Sequence, residues 1–355
     1  MKEKIRYFDC FAGIGGFHCG VQNIDSDKYC FEHVAFCEVE KNAQKMYEKL
    51  CCSGNIQKID DVTNIKTNKN PSGIQVVDFD ILFAGFPCQS FSNVGYRKGL
   101  NDPRGQLFFY ILDMLDYYRP KYFVLENVQK IHTISGGKLL NEMKEALRDI
   151  GNGYHLTTWE LLASDYGLPQ KRNRIFFCGV RSDVAENKVL EAPPKIALED
   201  ALYPTTWHLL EKGDVDSKHY IPQGSRKTIL TKPKNWQGDV NIDNIVARPL
   251  TASMSKWHRA NQDNYFSDSY IKGNNPYERP VVDMESEPIR RITPLEGFRL
   301  QGSPDVYASV AKEMNISYSA QYKLIGNALP VNLATAVIKH FLDSYIVEQE
   351  GLNNE

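Results

Sequence analysis

The sequence predicts an α/β protein, with a doubly wound, mainly parallel sheet and a smaller, loop-rich domain. In the first half, short apolar runs alternate with segments whose apolar residues keep helical spacing. Strands that alternate with helices favour a parallel sheet, since each crossover uses a helix. From about residue 186 this alternation gives way to a stretch rich in Pro, Gly, Asn and Ser. The 355 residues are enough for a large core and a second domain.

The strands are predicted from short apolar runs, and the helices from the spacing that follows them. In chain order the predicted strands are residues 5–12, 33–39, 79–85, 121–127, 154–162 and 174–180. Helical spacing follows between residues 40 and 52, between 107 and 115, and between 140 and 150, where Gly151 provides a C-cap. Near the C-terminus, "TPLE" from Thr293 is a capping box that predicts another helix.

The last predicted helix decides the domain boundaries. Residues 327–346 place Leu333, Val337, Ile338 and Phe341 on one face, and such a face needs a sheet to pack on. We therefore expect residues 1–185 and 307–347 to form the sheet domain and residues 186–306 to form the second domain. Residues 348–355 are expected to be a frayed tail.

Composition excludes several classes of function. No run of 18 apolar residues is present, so neither a membrane span nor a membrane partner is expected, and the chain is predicted to be soluble and intracellular. The eight cysteines include no CxxC pair, so we expect no metal site and no disulfide framework. A net charge of −2 means that any nucleic-acid site must be a local basic surface.

A glycine-rich loop follows the first strand in "DCFAGIGGF". Gly13, Gly15 and Gly16 allow close backbone approach, which suits a nucleotide-like ligand at the carboxyl end of that strand. The loop does not match the dinucleotide pattern G-x-G-x-x-G, because His18 stands where the third glycine would be. Glu38 ends the second strand, where ribose hydroxyls are commonly bound. A tight turn with a solvated acid remains the alternative.

A second group of residues suits covalent chemistry. Cys88 in "GFPCQSFS" follows one predicted strand and Glu126 ends the next, so both can face one crevice. Arg172 and Arg174 in "QKRNR" share side-chain parity at the start of a further strand. A thiol, a carboxyl and a guanidinium suit attack on an electron-poor ring, although a buried core thiol is the alternative for Cys88 alone.

The segment after Cys88 is polar and basic. Residues 93–106 contain Arg97, Lys98 and Arg104 together with three glycines. A basic loop that follows a nucleophile could close over a polyanion such as DNA. An ordinary solvated loop is the alternative.

Nine sequence blocks, in order, resemble those of the DNA (cytosine-5)-methyltransferases of bacterial restriction-modification systems. They are "DCFAGIGGF", "CEVE", "DDVTNI", "GFPCQSFS", "RGQLFF", "LENV", "GLPQKRNRIF", "RRITPLEGFRLQG" and "YKLIGNALPV". The resemblance covers nearly the whole chain outside the central region. It implies the S-adenosylmethionine-dependent methyltransferase fold, with residues 186–306 as the target-recognition domain.

The resemblance also implies roles for individual residues. Cys88 is similar to the nucleophile that adds to carbon 6 of a flipped-out cytosine, and Glu126 to the acid at ring nitrogen 3. Arg172 resembles the group that holds the base and that acid, with Arg174 beside it. Residues similar to S-adenosyl-L-methionine contacts are Phe11, Gly13, Ile14, Gly15, Glu38, Val39, Asp61, Val62, Pro87, Leu107 and Asn327. Val39 departs from the tryptophan that members often carry after the ribose acid.

The partners implied are double-stranded DNA and a cognate restriction endonuclease acting on the same site, for a monomer in a prokaryotic cytoplasm. An RNA (tRNA) cytosine-5 methyltransferase on the same scaffold is the nearest alternative. A nicotinamide oxidoreductase and a catalytically inactive DNA-binding relative are further ones. Residues 248–270 carry side chains that could read base edges, but they are equally compatible with a polar surface, so no target sequence is predicted.

Overall fold

The computed structural model describes residues 2–87, 107–232 and 240–346. Within these ranges the chain divides into two compact units. The first contains the chain up to Leu161, then Asn173–Pro194, and the C-terminal part from Ala334. The second contains Leu162–Arg172 and Lys195–Leu333. Compared with the predicted domain bounds, the first unit continues to Pro194, whereas Leu162–Arg172 and residues 307–333 belong to the second unit.

The first unit is built on a seven-stranded sheet. Its strands are β1 (Glu3–Cys10), β2 (Tyr29–Cys37), β3 (Gln57–Ile59), β4 (Ile81–Gly85), β5 (Tyr122–Val128), β6 (Tyr154–Leu162) and β7 (Asn173–Arg181). Their order is β3-β2-β1-β4-β5-β7-β6. The first five are parallel, whereas β7 runs antiparallel to β5. The mainly parallel sheet is therefore confirmed, with an antiparallel edge that apolar runs alone do not reveal.

Helices flank this sheet and explain why its central strands are apolar on both faces. They are α1 (Gly16–Gln22), α2 (Lys41–Cys51), α3 (Leu107–Tyr118) and α4 (Lys138–Asp149). Every residue of β4 before Gly85 is buried, as expected for a parallel strand covered on two sides. The carboxyl ends of β1 to β5 meet at one edge of the sheet, where loops can bring polar side chains together.

The second unit contains short helices and a hairpin. Its helices are α5 (Thr206–Leu209), α6 (Gln223–Leu230), α7 (Asp268–Lys272), α8 (Pro294–Leu300), α9 (Val306–Glu313) and α10 (Tyr318–Asn327). Strands β8 (Tyr265–Ser267) and β9 (Ile289–Arg291) pair antiparallel. The capping box predicted at Thr293 is present, because its side chain and that of Glu296 each accept from the other's backbone N–H. Glu296 also pairs with Arg290, and both are buried.

The last helix, α11 (Val331–Tyr345), joins the first unit from Ala334 onwards. Thr335 donates from Oγ1 to the Gly20 carbonyl of α1 across 3.2 Å. A Cβ on Gly20 would lie 2.6 Å from the Ala334 Cβ, so only glycine permits this approach. The apolar face of the last helix predicts this return to the sheet domain.

Two absences hold for residues 2–87, 107–232 and 240–346. No helix there is long and apolar enough to cross a membrane. Nor does any group of three or more His, Cys, Asp or Glu side chains there have an arrangement that could bind a metal ion.

Candidate active site

The glycine-rich loop between β1 and α1 has an unusual backbone. Phe11, Gly13 and Gly15 adopt positive φ angles of 55°, 56° and 91°. For phenylalanine this conformation is uncommon and must be imposed by the surroundings. The Ala12 N–H donates to the Cys37 carbonyl of β2 across 3.0 Å, which ties the loop to the neighbouring strand. A Cβ on Gly13 would meet nothing within 4 Å, so the space beside this loop is open.

Glu38 follows β2 and binds this loop. Its Oε2 accepts from the Gly13 N–H and its Oε1 from the Glu40 N–H, both at 2.7 Å. Burial raises the pKa of Glu38, and the backbone N–H groups of Glu40 and Gly13 oppose that rise. The next residue, Val39, is 65% exposed. A carboxyl beside an exposed apolar side chain offers contacts for the hydroxyls and the flat ring of a nucleoside.

The other predicted cofactor contacts divide between the two units. In the first unit, Ile14 in the glycine-rich loop and Val62 after β3 are buried. Asp61 precedes Val62 and caps a short 3₁₀ turn, with the N–H of residue 63 donating to Oδ1 across 2.9 Å. Pro87 follows β4 and is exposed, and Leu107 is the first residue of α3. Asn327 ends α10 in the second unit and is exposed.

Glu126 and Arg174 form a buried ion pair on adjacent strands. Arg174 lies opposite Val128, so Glu126 is its diagonal neighbour across the antiparallel β5–β7 pair. The Arg174 Nε lies 2.5 Å from the Glu126 Oε1. Burial lowers the pKa of the Arg174 guanidinium, and the charge and hydrogen bond of Glu126 oppose that fall. The sequence predicts both residues for one site, and the structure brings them together.

Two neighbours shape the surroundings of Glu126. Gly85 lies opposite Glu126 in the β4–β5 register, and a Cβ there would come within 3.3 Å of the Glu126 Oε2. Glycine therefore leaves room for the carboxyl. Asn127 is buried and donates from Nδ2 to the Phe86 carbonyl across 3.0 Å, which fixes the chain just beyond β4. Sequence reasoning assigned Asn127 no role, although a polar residue beside the candidate acid was a signal for one.

Four predicted site residues lie outside the described part of the chain: Cys88, Arg97, Lys98 and Arg104. Cys88 is the third residue after β4 ends at Gly85. Their assignments therefore stay predictions.

Arg172 belongs to the second unit, whereas Arg174 belongs to β7 of the first. Arg172 is buried and donates from Nη1 to the Leu250 carbonyl across 2.7 Å. From Nη2 it donates to the carbonyls of Gly326 and Ala328, across 2.8 and 2.9 Å. Strand β7 begins at Asn173, so of the two arginines only Arg174 lies within the strand. The structure shows instead an arginine that crosslinks backbone segments within the second unit.

Solved structures show the same fold. An Entamoeba histolytica methyltransferase, EhMeth, aligns with a TM-score of 0.71 and 18% identity over 97% of this chain and 99% of its own. The Schizosaccharomyces pombe Dnmt2 methyltransferase aligns with a TM-score of 0.71 and 21% identity over 96% of this chain and 99% of its own. At these identities the likeness establishes the fold alone, that of the S-adenosylmethionine-dependent methyltransferases.

Sequence relatives are more specific. The type II methyltransferase M.HaeII of Haemophilus aegyptius is 32% identical over 353 residues, covering 97% of this chain and 94% of its own. The type II methyltransferase M.HpaII of Haemophilus parainfluenzae is 30% identical, covering 97% of this chain and 90% of its own. The family model described as C-5 cytosine-specific DNA methylase matches residues 5–343. This chain therefore belongs to the family of C-5 cytosine-specific DNA methylases.

Proposed function

We propose that this chain transfers a methyl group from S-adenosyl-L-methionine to carbon 5 of a cytosine within a specific double-stranded DNA sequence. We further propose that it is the modification partner of a restriction endonuclease acting on the same sequence. The observation that carries the proposal is the buried Glu126–Arg174 pair, which lies beside β4 near the start of the segment that carries Cys88. Family membership and type II relatives support the DNA substrate.

The residues at the carboxyl ends of β1 and β2 fit S-adenosyl-L-methionine. Phe11, Gly13 and Gly15 form a loop with open space beside it, and Glu38 is oriented by two backbone N–H groups for the ribose hydroxyls. The exposed Val39 offers an apolar contact for the adenine. When bound, this cofactor supplies an electrophilic methyl group on a sulfonium.

Cys88, Glu126 and Arg174 act on the cytosine. The Cys88 thiolate adds to carbon 6, while a proton held at ring nitrogen 3 by Glu126 balances the charge and makes carbon 5 enamine-like. Arg174 keeps the Glu126 carboxyl in place through its ion pair. After methylation, a base such as water accepts the carbon 5 proton, the electron pair of that C–H bond forms the double bond between carbons 5 and 6 again, and Cys88 leaves as a thiolate. The nitrogen 3 proton returns to Glu126. Arg172 lies in the second unit, where its hydrogen bonds order the segments at Leu250 and Ala328.

DNA binding combines two parts of the chain. The target base must leave the stacked duplex, at a cost of about a few kcal/mol. Arg97, Lys98 and Arg104 offset this cost by contacting backbone phosphates. Because the net charge of the chain is −2, phosphate binding depends on such a local basic surface. The second unit contributes the contacts that select the target sequence. We propose that the chain acts as a monomer.

Methyl transfer from labelled cofactor to duplex DNA and to transfer RNA tests the substrate. We expect label in DNA alone, and label in transfer RNA alone would establish the RNA methyltransferase instead. Bisulfite sequencing of a plasmid from expressing cells then gives the methylated position and its flanking bases.

Two cysteine variants test whether Cys88 is the nucleophile. We expect Cys88→Ala to abolish transfer, whereas Cys30→Ala, at an exposed cysteine in β2, retains parent activity. Duplex DNA containing 5-fluorocytosine should form a covalent adduct with the parent and none with Cys88→Ala. Residual turnover of Cys88→Ala within about tenfold of the parent rules out this role, since covalent catalysis by a nucleophile contributes far more than that.

A further inference from the structure

A chain of hydrogen-bonding side chains lies beneath the glycine-rich loop in the first unit. Asp9, the penultimate residue of β1, is fully buried. The Tyr47 hydroxyl lies 3.0 Å from the Asp9 Oδ2 and 3.2 Å from the His33 Nε2. The His33 Nδ1 lies 3.3 Å from the Cys51 carbonyl oxygen. Four groups therefore form three consecutive contacts, ending at a carbonyl that can only accept.

Counting protons along this chain leaves two arrangements. Because the Cys51 carbonyl only accepts, His33 must carry a proton on Nδ1. If His33 is neutral, Nε2 accepts the single Tyr47 proton, and the remaining contact is a hydrogen bond only if Asp9 donates from a protonated Oδ2. If His33 is an imidazolium, both ring nitrogens donate, and Tyr47 donates to an ionised Asp9.

The surroundings favour the neutral arrangement. Burial raises the pKa of Asp9, more than the Tyr47 hydrogen bond opposes it, and the charge of Glu38 raises it further. Burial also lowers the pKa of His33. The flat ring of Tyr7 stacks on His33 at 4.8 Å between centroids, which adds desolvation but no counter-charge. An ion pair relayed through Tyr47 would place one charge on the fully buried Asp9 and one on the half-buried His33, whereas the neutral chain places none.

Asp9 is also placed to control the loop above it. Residues 10–15 connect it directly to α1, and Phe11 within that span has a positive φ that the surroundings must enforce. The backbone N–H of His18, in the first turn of α1, is close enough to lower the pKa of Asp9. No described group makes a hydrogen bond of good geometry to the Asp9 Oδ1, so the His18 N–H is the contact through which the Asp9 side chain meets the start of α1.

We propose that Asp9 is a positioning residue for the glycine-rich loop and acts as a neutral carboxyl that donates through Tyr47 to His33. The inference rests on the proposed function, in which this loop binds S-adenosyl-L-methionine. A neutral Asp9 leaves Glu38 as the charged carboxyl for the ribose, without a second negative charge behind the loop. The chain to His33 and the Cys51 carbonyl anchors Asp9 to β2 and α2, so the loop keeps its strained backbone.

Replacing the Asp9 carboxyl by an amide tests whether a negative charge is needed at this position, because the amide cannot ionise but can still donate to Tyr47. Asp9→Asn keeps the shape and an N–H donor toward Tyr47, so we expect the Kd for S-adenosyl-L-methionine, measured by calorimetry, to stay within about threefold of the parent. Asp9→Ala and Tyr47→Phe should each weaken binding at least about tenfold, the size of a lost buried hydrogen bond. The double variant Asp9→Ala/Tyr47→Phe should bind S-adenosyl-L-methionine no more weakly than the single variant with the higher Kd, because both substitutions break the same hydrogen-bonded chain.

Tyr29→Phe is the matched control. Tyr29 donates to the Asp343 Oδ1 across 3.0 Å in the same unit, away from the loop, so its loss should leave the Kd unchanged. If Asp9→Asn loses as much affinity as Asp9→Ala while Tyr29→Phe does not, Asp9 acts as a carboxylate and the inference is overturned. A parent that binds no S-adenosyl-L-methionine would instead overturn the proposed function.

Nitrogen NMR of histidine-labelled parent protein, without cofactor, tests the proton arrangement directly. We expect His33 at pH 7 to be neutral with its proton on Nδ1, and to remain so in Asp9→Asn. An imidazolium signal, or a proton on Nε2 alone, would overturn the neutral chain whatever the binding data show.

Discussion

Arg174 and Glu126 are diagonal neighbours across the antiparallel β5–β7 pair, with Nε and Oε1 2.5 Å apart and side chains only 10% and 11% exposed. A pair this buried gains little net stability from its charges, since desolvation offsets their attraction. Removing one partner lowers stability strongly, because the charge of the other partner is then buried without compensation. The pair is thus better suited to orient a catalytic carboxyl than to stabilise the sheet.

The first prediction concerns this cation. We expect Arg174→Met to lower methyl transfer on the order of 100-fold, the size of the loss when a preorganised electrostatic partner is removed. Unfolding by urea should show a loss of about 3 kcal/mol or more, because Glu126 stays buried without its partner. The matched control is Lys138→Met, at the exposed Lys138–Glu142 pair of α4, which should change stability by less than about 0.5 kcal/mol. Parent activity in Arg174→Met would contradict the assignment.

The second prediction separates cofactor binding from chemistry. In Glu38→Gln an amide NH₂ replaces one of the two oxygens that accept from the Gly13 and Glu40 N–H groups. One of these backbone N–H groups then points at another donor. We expect the KM for S-adenosyl-L-methionine to rise about tenfold, with kcat changed far less. Glu40→Gln removes a neighbouring charge that caps α2 through the Ala43 N–H, and should cost about 1 kcal/mol of stability without altering this KM. Equal KM values for the two variants would show that Glu38 does not bind the cofactor.

The third prediction is a pH dependence of stability in the second unit. Burial raises the pKa of Asp243 to about 6, although Ser267 donates to it from both N–H and hydroxyl. Because this pKa lies above the unfolded value, the folded state binds more protons between about pH 4 and 6. The contribution of Asp243 is therefore fully present below about pH 4 and falls by about 3 kcal/mol as the pH rises through 6.

Urea unfolding of the parent and of Asp243→Asn, measured from pH 4 to 8, checks this sign. The difference in unfolding free energy, parent minus variant, should fall as the pH rises to about 6 and level off above 7. Other titrating groups cancel in this difference. A constant difference across the range would show that Asp243 has an ordinary pKa.

Several parts of this fold could be predicted from the sequence because they depend on local patterns. The apolar runs located six strands of the sheet, and the capping box located the start of α8 at Thr293. Strand β3 has only three residues, too few for a pattern, and was missed. The antiparallel direction of β7 was also missed, because a buried strand has the same apolar pattern in either direction.

The candidate site could be predicted in its composition more than in its partnerships. Glu126 and Arg174 were both expected, but only the β5–β7 register shows that they are diagonal neighbours. The partners of Arg172 lie 78, 154 and 156 residues away, at backbone atoms that carry no sequence signal. Asp9 was overlooked for a related reason, since its contacts come from β2 and α2 through Tyr47 and His33.

The last prediction tests whether Arg172 orders the second unit or acts only on the base. Its two Nη atoms serve three carbonyls on two separate segments, at Leu250 and at Gly326 and Ala328. A lysine has a single nitrogen and cannot reach both segments in this geometry. We therefore expect Arg172→Lys to lose about 3 kcal/mol of unfolding free energy, because buried carbonyls are left without donors. Limited proteolysis should cleave near both segments faster than in the parent.

Arg259→Lys is the control for Arg172→Lys, since Arg259 also donates to a carbonyl, that of Thr231, but at an exposed position. It should change stability by less than about 0.5 kcal/mol. If Arg172→Lys instead keeps the stability and proteolysis pattern of the parent while methyl transfer falls, the carbonyl contacts are dispensable. Arg172 would then act through the base itself, as its position in "PQKR" implies. The two roles thus predict different unfolding free energies for Arg172→Lys, whether or not methyl transfer falls.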